Sequence, residues 1–213
     1  MFEQITLWSQ QATTREDSPT IGKVLLSLDG EVVFYKGFFS NDESDKFFDK
    51  LHHETEWQQE TIQIFGKCTP LPRLTAWYGD PGKTYIYSGI EQHSKPWTPT
   101  LLSIKTRIEK IAKVEFNSVL LNLYRHGRDG VAWHSDDEPE LGQNPVIGSV
   151  SFGATRRFSF RHKQMKERKI DIDLPHGSFL LMRGETQHHW QHQIPKTTKD
   201  VSPRINLTFR IIH

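Results

Sequence analysis

His134-Ser135-Asp136 sets an imidazole and a carboxylate two residues apart. In extended chain the side chains at i and i+2 point the same way, so both can reach one ion. A third ligand has to come from a distant segment, and GETQHHWQHQIP offers His188, His189 and His192. Two histidines and one carboxylate on one face of an octahedron form the donor set of non-haem Fe(II) oxygenases. Catalytic zinc takes the same ligand types, so spacing alone leaves the metal open.

A second pattern lies in the last strand-like run. From Arg204 to Ile211 polar and apolar residues alternate strictly, with Arg204, Asn206, Thr208 and Arg210 on one face and Ile205, Leu207, Phe209 and Ile211 on the other. On an edge strand two such arginines would face solvent. Here they stand about 20 Å apart along the strand, and inward-leaning forks can close on a small dicarboxylate between them. The planar guanidinium grips carboxylate with paired hydrogen bonds. A dicarboxylate clamp beside two histidines and an acid implies 2-oxoglutarate.

The elements that must position these groups read as mainly β with flanking helices. VLLSLDGEVVFY suggests a hairpin turning at Asp29-Gly30. Ser40 with Glu43 forms a capping box ahead of a helix carrying Phe47, Phe48 and Leu51. Thr98-Pro99 starts a second helix with Leu101, Ile104, Ile108 and Ile111 on one stripe. After Asn117 short β-rich runs follow one another between turns. Helices outside a run of antiparallel strands argue for a sandwich or jelly roll. With 213 residues the chain is expected to form one domain: an irregular arm over 1–20, helices and a lid over 21–116, and the catalytic core over 117–213.

Composition narrows the partners. There is no apolar run of membrane-spanning length and no export-signal pattern, so a cytoplasmic or nuclear protein is expected. The lone Cys68 excludes an internal disulfide and reads as a plain loop thiol. Net charge is only +1, so any nucleic-acid affinity must come from local patches. Ser40–Glu60 holds seven acidic against two basic residues and reads as a solvated face. Arg156–Lys169 holds seven basic residues against Glu167, interleaved with Phe158 and Phe160.

Taken together, N-L-Y at 122–124, H-S-D at 134–136 with the following Asp137-Glu138, S-V-S-F-G-A at 149–154, F-R-H-K at 160–163, H-G-S at 176–178 and P-R-I-N-L-T-F-R at 203–210 resemble the AlkB family of nucleic-acid dealkylating dioxygenases. The resemblance runs from about Val32 to the C-terminus and is strongest to the duplex-DNA-acting branch. It implies a double-stranded β-helix with an N-terminal substrate-lid extension. It also implies oxidative demethylation of 1-methyladenine and 3-methylcytosine, using Fe(II), oxygen and 2-oxoglutarate and releasing formaldehyde, succinate and carbon dioxide. His134, Asp136 and His192 are then the iron ligands, His192 because the family's last histidine lies two residues after a Trp. Asn122, Tyr124, Arg204, Asn206 and Arg210 take 2-oxoglutarate.

At the substrate end the resemblance places Phe65 as a wedge that fills the gap left by an extruded base. Arg73, Tyr85 and Tyr87 line a lid, and Asp137 and Glu138 meet the base, whose amino group a carboxylate can accept from. Trp133 packs either a pocket wall or the core. Arg157, Arg161 and Lys163 are expected on nucleic-acid phosphates, which supply salt-dependent affinity. The implied partner is DNA, single- or double-stranded, or RNA, with no membrane and a monomeric protein. Two other readings use the same residues: hydroxylation of a protein, lipid or small molecule, and a non-catalytic nucleic-acid-binding module.

Overall fold

The computed structural model describes residues 21–64, 67–82, 84–87 and 90–213. Seven strands form the larger sheet: β1 (Lys23–Leu26), β2 (Glu31–Tyr35), β5 (Leu74–Gly79), β8 (Ser118–Tyr124), β10 (Ile147–Gly153), β13 (Ser178–Arg183) and β15 (Arg204–Arg210). Their spatial order is β1-β2-β13-β10-β15-β8-β5. The facing sheet runs β12 (Lys169–Leu174), β11 (Arg156–His162), β14 (Trp190–Ile194) and β9 (Val131–His134). All pairings in both sheets are antiparallel. The two sheets close into the expected jelly roll. The larger sheet draws strands from both sides of residue 117, since β1, β2 and β5 precede it.

Two small hairpins lie outside this frame: β3 (Thr61–Ile64) with β4 (Lys67–Pro70), and β6 (Thr84–Tyr87) with β7 (Ile90–His93). Phe65 lies outside the described residues, and Tyr85 and Tyr87 fall on β6 with their side chains outside what is described.

Both helices form where their caps predict. Helix α1 (Asn41–Glu54) opens on the reciprocal Ser40–Glu43 capping box, and α2 (Pro99–Ala112) opens on Thr98, whose hydroxyl accepts from the Leu101 amide. They cover the outer face of the large sheet, where Leu101, Ile104 and Ile108 meet Val150, Phe152, Ile205, Leu207 and Phe209. A separate apolar cluster fills part of the space between the sheets: Phe34, Ile147, Leu180 and Met182 against Phe158, Phe160 and Trp190. Among the described residues no helix is long and apolar enough to cross a membrane.

The pleat therefore gives β15 two buried faces, one against the helices and one against the facing sheet, and Arg204–Phe209 are all buried. Register then builds polar rows across the inner face. Asn206 sits between Asn122 and Ser151, and Thr208 between Leu120 and Ser149. Arg204 is paired with Tyr124 on one side and Gly153 on the other. Gly153 has φ +85°, and a Cβ there would lie 2.4 Å from the Pro203 carbonyl oxygen and 2.7 Å from Phe48. Gly153→Ala should therefore cost on the order of 2 kcal/mol and disturb Arg204 beside it. Urea unfolding would show the loss, accompanied by weaker 2-oxoglutarate binding.

Candidate metal and dicarboxylate site

His134 ends β9 and stands directly across from His192 on β14. The chain leaves the strand after His134, and Asp136 turns in as a fully buried acid beneath both rings. His134 Nε2 is 3.7 Å from Asp136 Oδ1, and His192 Nε2 is 4.0 Å from Oδ2. Ligand atoms of the three residues all lie within 4.8 Å of one another. His134 Nδ1 is 2.9 Å from the Ala132 carbonyl oxygen. That bond keeps a proton on Nδ1 and turns the Nε2 lone pair toward the carboxylate, the tautomer a metal ligand needs. His192 stacks on Phe158 at 5.2 Å.

Charge is managed locally. Burial alone would raise the Asp136 carboxyl, but Arg210 and the two histidines outweigh it and hold it at about 2. Arg210 Nη2 donates to Asp136 Oδ1 at 2.9 Å. Burial, aided by His134 and Arg210, pushes His192 down to about 3 despite the opposing pull of Asp136. An anionic acid and a neutral imidazole are the protonation states that bind a divalent cation.

The Asp136 amide donates to Gln187 Oε1 at 3.0 Å, and Gln187 is completely buried. Nothing in the sequence marks Gln187 for this task, because a lone Gln beside three consecutive ring residues carries no spacing signal. The loop ahead of β9 is pinned too. Asp129 accepts from the Arg125 amide and guanidinium, and Arg156 Nη2 donates to the Asp129 and Pro195 carbonyls.

The polar rows of the larger sheet complete the site. Asn206 Nδ2 donates to Ser149 Oγ and to the Val150 carbonyl, and its Oδ1 accepts from Thr208. Asn122 Oδ1 accepts from Arg73 Nε at 2.7 Å. Arg73 thereby reaches the inner cavity shared by Asn122, Tyr124, Asn206, Arg210 and the metal-type ligands, besides lining the outer one.

Arg204 is 1% exposed, its guanidinium lies 5.1 Å from the Tyr124 ring centre, and burial lowers it to about 10. Its Nη2 donates to Ser151 Oγ, and Tyr124 is a second side-chain hydrogen-bond partner of the guanidinium. Nε and Nη1 find no acceptor among the described residues. A buried cation with two idle donors is costly unless an anion completes it. A carboxylate fits that need, and the residues present suit both Fe(II) and 2-oxoglutarate.

In front of these ligands opens a cavity of about 740 Å³, of the size that takes a small-molecule ligand or an extruded base. Its walls include Arg73, Thr75, Trp77, Trp133, His134, Asp136 and Glu138. Of the two acids after Asp136, only Glu138 lines it. Asp137 is exposed, 3.3 Å from Lys163 Nζ, and does not reach the cavity wall. Consecutive residues of an extended segment face opposite ways, so Glu138 borders the cavity while Asp137 faces Lys163.

The basic stretch is less free than its charge count suggests. Arg156 is buried, Arg157 pairs with Asp173, and Lys163 also donates to the Gln187 carbonyl. A second group of metal-type side chains, Asp29, His162 and His189, lies at the turn between β1 and β2. There His162 Nδ1 accepts two backbone amides, so its Nε2 carries the proton and donates to Asp29 at 3.1 Å. That group is a hydrogen-bonded fastening of the hairpin. His188 is exposed and belongs to neither group.

Comparison with known proteins agrees with this geometry. The 2OG-Fe(II) oxygenase superfamily matches residues 31–210. The chain is 45% identical over 191 residues to alpha-ketoglutarate-dependent dioxygenase alkB homolog 3 of Bos taurus, covering 85% of this chain and 66% of that protein. The Homo sapiens protein of the same name is 42% identical, with coverage of 92% and 72%. DNA oxidative demethylase ALKBH2 of Homo sapiens is 40% identical, with coverage of 84% and 72%. The chain thus spans about two thirds of these relatives' length. The solved structure of OsALKBH1 shares the fold at a TM-score of 0.62 and 17% identity, covering 89% of this chain and 100% of that one.

Two outcomes test the site. Arg204→Met removes a buried, under-satisfied cation, so the metal-free protein should keep or gain thermal stability. The 2-oxoglutarate needed to half-saturate the iron-loaded protein should nevertheless rise about tenfold or more, read from the absorbance band formed without oxygen. Asp136 lies below its ordinary value of 3.8. The stability it contributes is therefore complete above that value and lost as pH falls toward 2. In metal-free protein Asp136→Asn should cost on the order of 2 kcal/mol at pH 7. That gap should narrow steadily below pH 4 in urea titrations.

Proposed function

Because the chain belongs to the AlkB family within the 2OG-Fe(II) oxygenase superfamily, we propose that it repairs DNA by oxidative removal of N-alkyl groups from bases such as 1-methyladenine and 3-methylcytosine. The observation that carries this reading is the pairing of two buried features. One is the His134–Asp136–His192 group, and the other is Arg204, with donors left for a carboxylate. His134, Asp136 and His192 hold Fe(II), and Asn122, Tyr124, Arg204, Asn206 and Arg210 hold 2-oxoglutarate. Bound there, the two supply oxidation of the methyl C–H bond by molecular oxygen, with succinate and carbon dioxide as co-products. The hydroxymethyl group left on nitrogen then departs as formaldehyde.

The chain's own residues bind, orient and exclude water. Arg210 keeps Asp136 anionic, Gln187 fixes its backbone, and the Ala132 carbonyl fixes the His134 tautomer. The cavity accepts a base taken out of its stack, as chemistry on a base requires. Glu138 on its wall suits the amino group that adenine and cytosine both carry. Phe65, outside the described residues, is assigned to filling the gap left in the strand, and Tyr85 and Tyr87 to the lid. Arg157, Arg161 and Lys163 are the candidates for phosphate contact, each already holding a partner within the protein. The lid is assigned within residues 21–116, a stretch that also gives β1, β2 and β5 to the larger sheet, and the rest of the catalytic core follows from 117. The reading goes with a monomer working where DNA is kept, in a bacterial cytoplasm or a eukaryotic nucleus.

Formaldehyde release from an oligonucleotide carrying 1-methyladenine or 3-methylcytosine, with iron and 2-oxoglutarate supplied, is the direct test. His134→Ala should abolish it. Wild-type turnover stimulated by peptides or small molecules but never by methylated nucleic acid would overturn the assignment.

A further inference from the structure

Trp133 is unused by the chemistry just described. It sits one residue before the ligand His134, on the opposite side of the same strand, and is half-buried. The Arg161 guanidinium lies 4.3 Å from the centre of its ring. Arg161 is itself held by its cross-strand neighbour Gln191, whose Oε1 accepts from Nε at 3.0 Å and Nη2 at 2.8 Å. Trp133 borders the 740 Å³ cavity and Arg161 does not. The ring thus carries the guanidinium 4.3 Å from its centre and lies at the border of the cavity, which Arg161 itself does not reach. Gln193 and Lys196 border the same cavity, adding amide donors and a cation beside an aromatic surface.

A core tryptophan would be buried on both faces among apolar groups, and Trp133 belongs to none of the apolar clusters. A flat ring stiffened from behind by a cation, continuous with the cavity for the target base, is suited to stacking on another flat group. Bases of any identity offer such a face, and cations beside the ring suit the phosphates that link them. On the dealkylation reading the target base lies at the His134 end of the cavity, on the metal-ligand side of the strand. Trp133 points the other way from the strand, so what it meets is a neighbour of the target.

We propose that Trp133, backed by Arg161, is a stacking platform for the unpaired nucleobase next to the target. The proposal rests on the base-dealkylation reading and deepens it, because a neighbouring base in an intact duplex is stacked and paired and has no free face. Substrate strands free to turn that base outward, whether DNA or RNA, are then favoured over duplex.

The test uses iron- and 2-oxoglutarate-loaded protein and two single-stranded oligonucleotides carrying 3-methylcytosine. One has normal neighbours and the other has abasic sites on both sides of the target. For the wild type, removing the neighbouring bases should lower kcat/KM about tenfold, mostly through KM, the size of one base–aromatic stack. Trp133→Ala should show a similar loss on the normal oligonucleotide and almost no further loss on the abasic one. Trp133→Phe should restore most of the difference. Equal losses for Trp133→Ala on both oligonucleotides would assign the ring to packing or to the target pocket and overturn the proposal, as would no loss on either. Wild-type turnover of both oligonucleotides reports separately on the dealkylation reading.

Discussion

Asp136 and Arg210 meet at 2.9 Å inside the protein, 74 residues apart in the chain. A carboxylate so deeply buried would normally be neutral, and a neutral acid is a poor ligand for a divalent cation. Arg210 keeps it charged, and Arg210 can do so only while β15 holds its register against β8 and β10. The same strand carries Arg204 six residues away at the other end of the polar face. The partner that keeps Asp136 charged and the proposed dicarboxylate anchor thus lie on one strand.

That constraint explains the division of the interior. Two guanidiniums, a carboxylate and two imidazoles between sheets call for polar partners. Arg210 meets Asp136 and Ser151 meets Arg204, while Ser149, Asn206 and Thr208 bond one another alongside. The remaining volume is apolar, with Phe158, Phe160, Leu180 and Met182 closing the space beyond. On the other face of β15 and β10, packing against the two helices supplies the cohesion that the polar inner face cannot.

At the rim the same economy holds for charge. Three basic residues of the 156–163 stretch are engaged: Arg157 with Asp173, Lys163 with Asp137 and a carbonyl, Arg161 with Gln191 and the Trp133 ring. A net charge of +1 over the whole chain leaves no broad basic field.

What the sequence determined on its own was what local periodicity can carry. The alternation along β15, the caps of both helices, the Asp29-Gly30 turn and the His134–Asp136 pair each depend on neighbours a few residues away, where backbone geometry leaves little choice. Choosing His192 over His188 and His189 needed the family resemblance, and the structure agrees because only His192 lies across from His134. Tertiary structure alone decided the rest. Gln187 holds the Asp136 backbone, Glu138 and not Asp137 faces the cavity, Arg73 reaches Asn122, and Arg156 spends its charge on loop carbonyls. Each of these depends on which strands lie side by side and on where the chain leaves the pleat after His134. Such long-range register follows from the packing of the whole core and leaves no mark in the spacing of nearby residues.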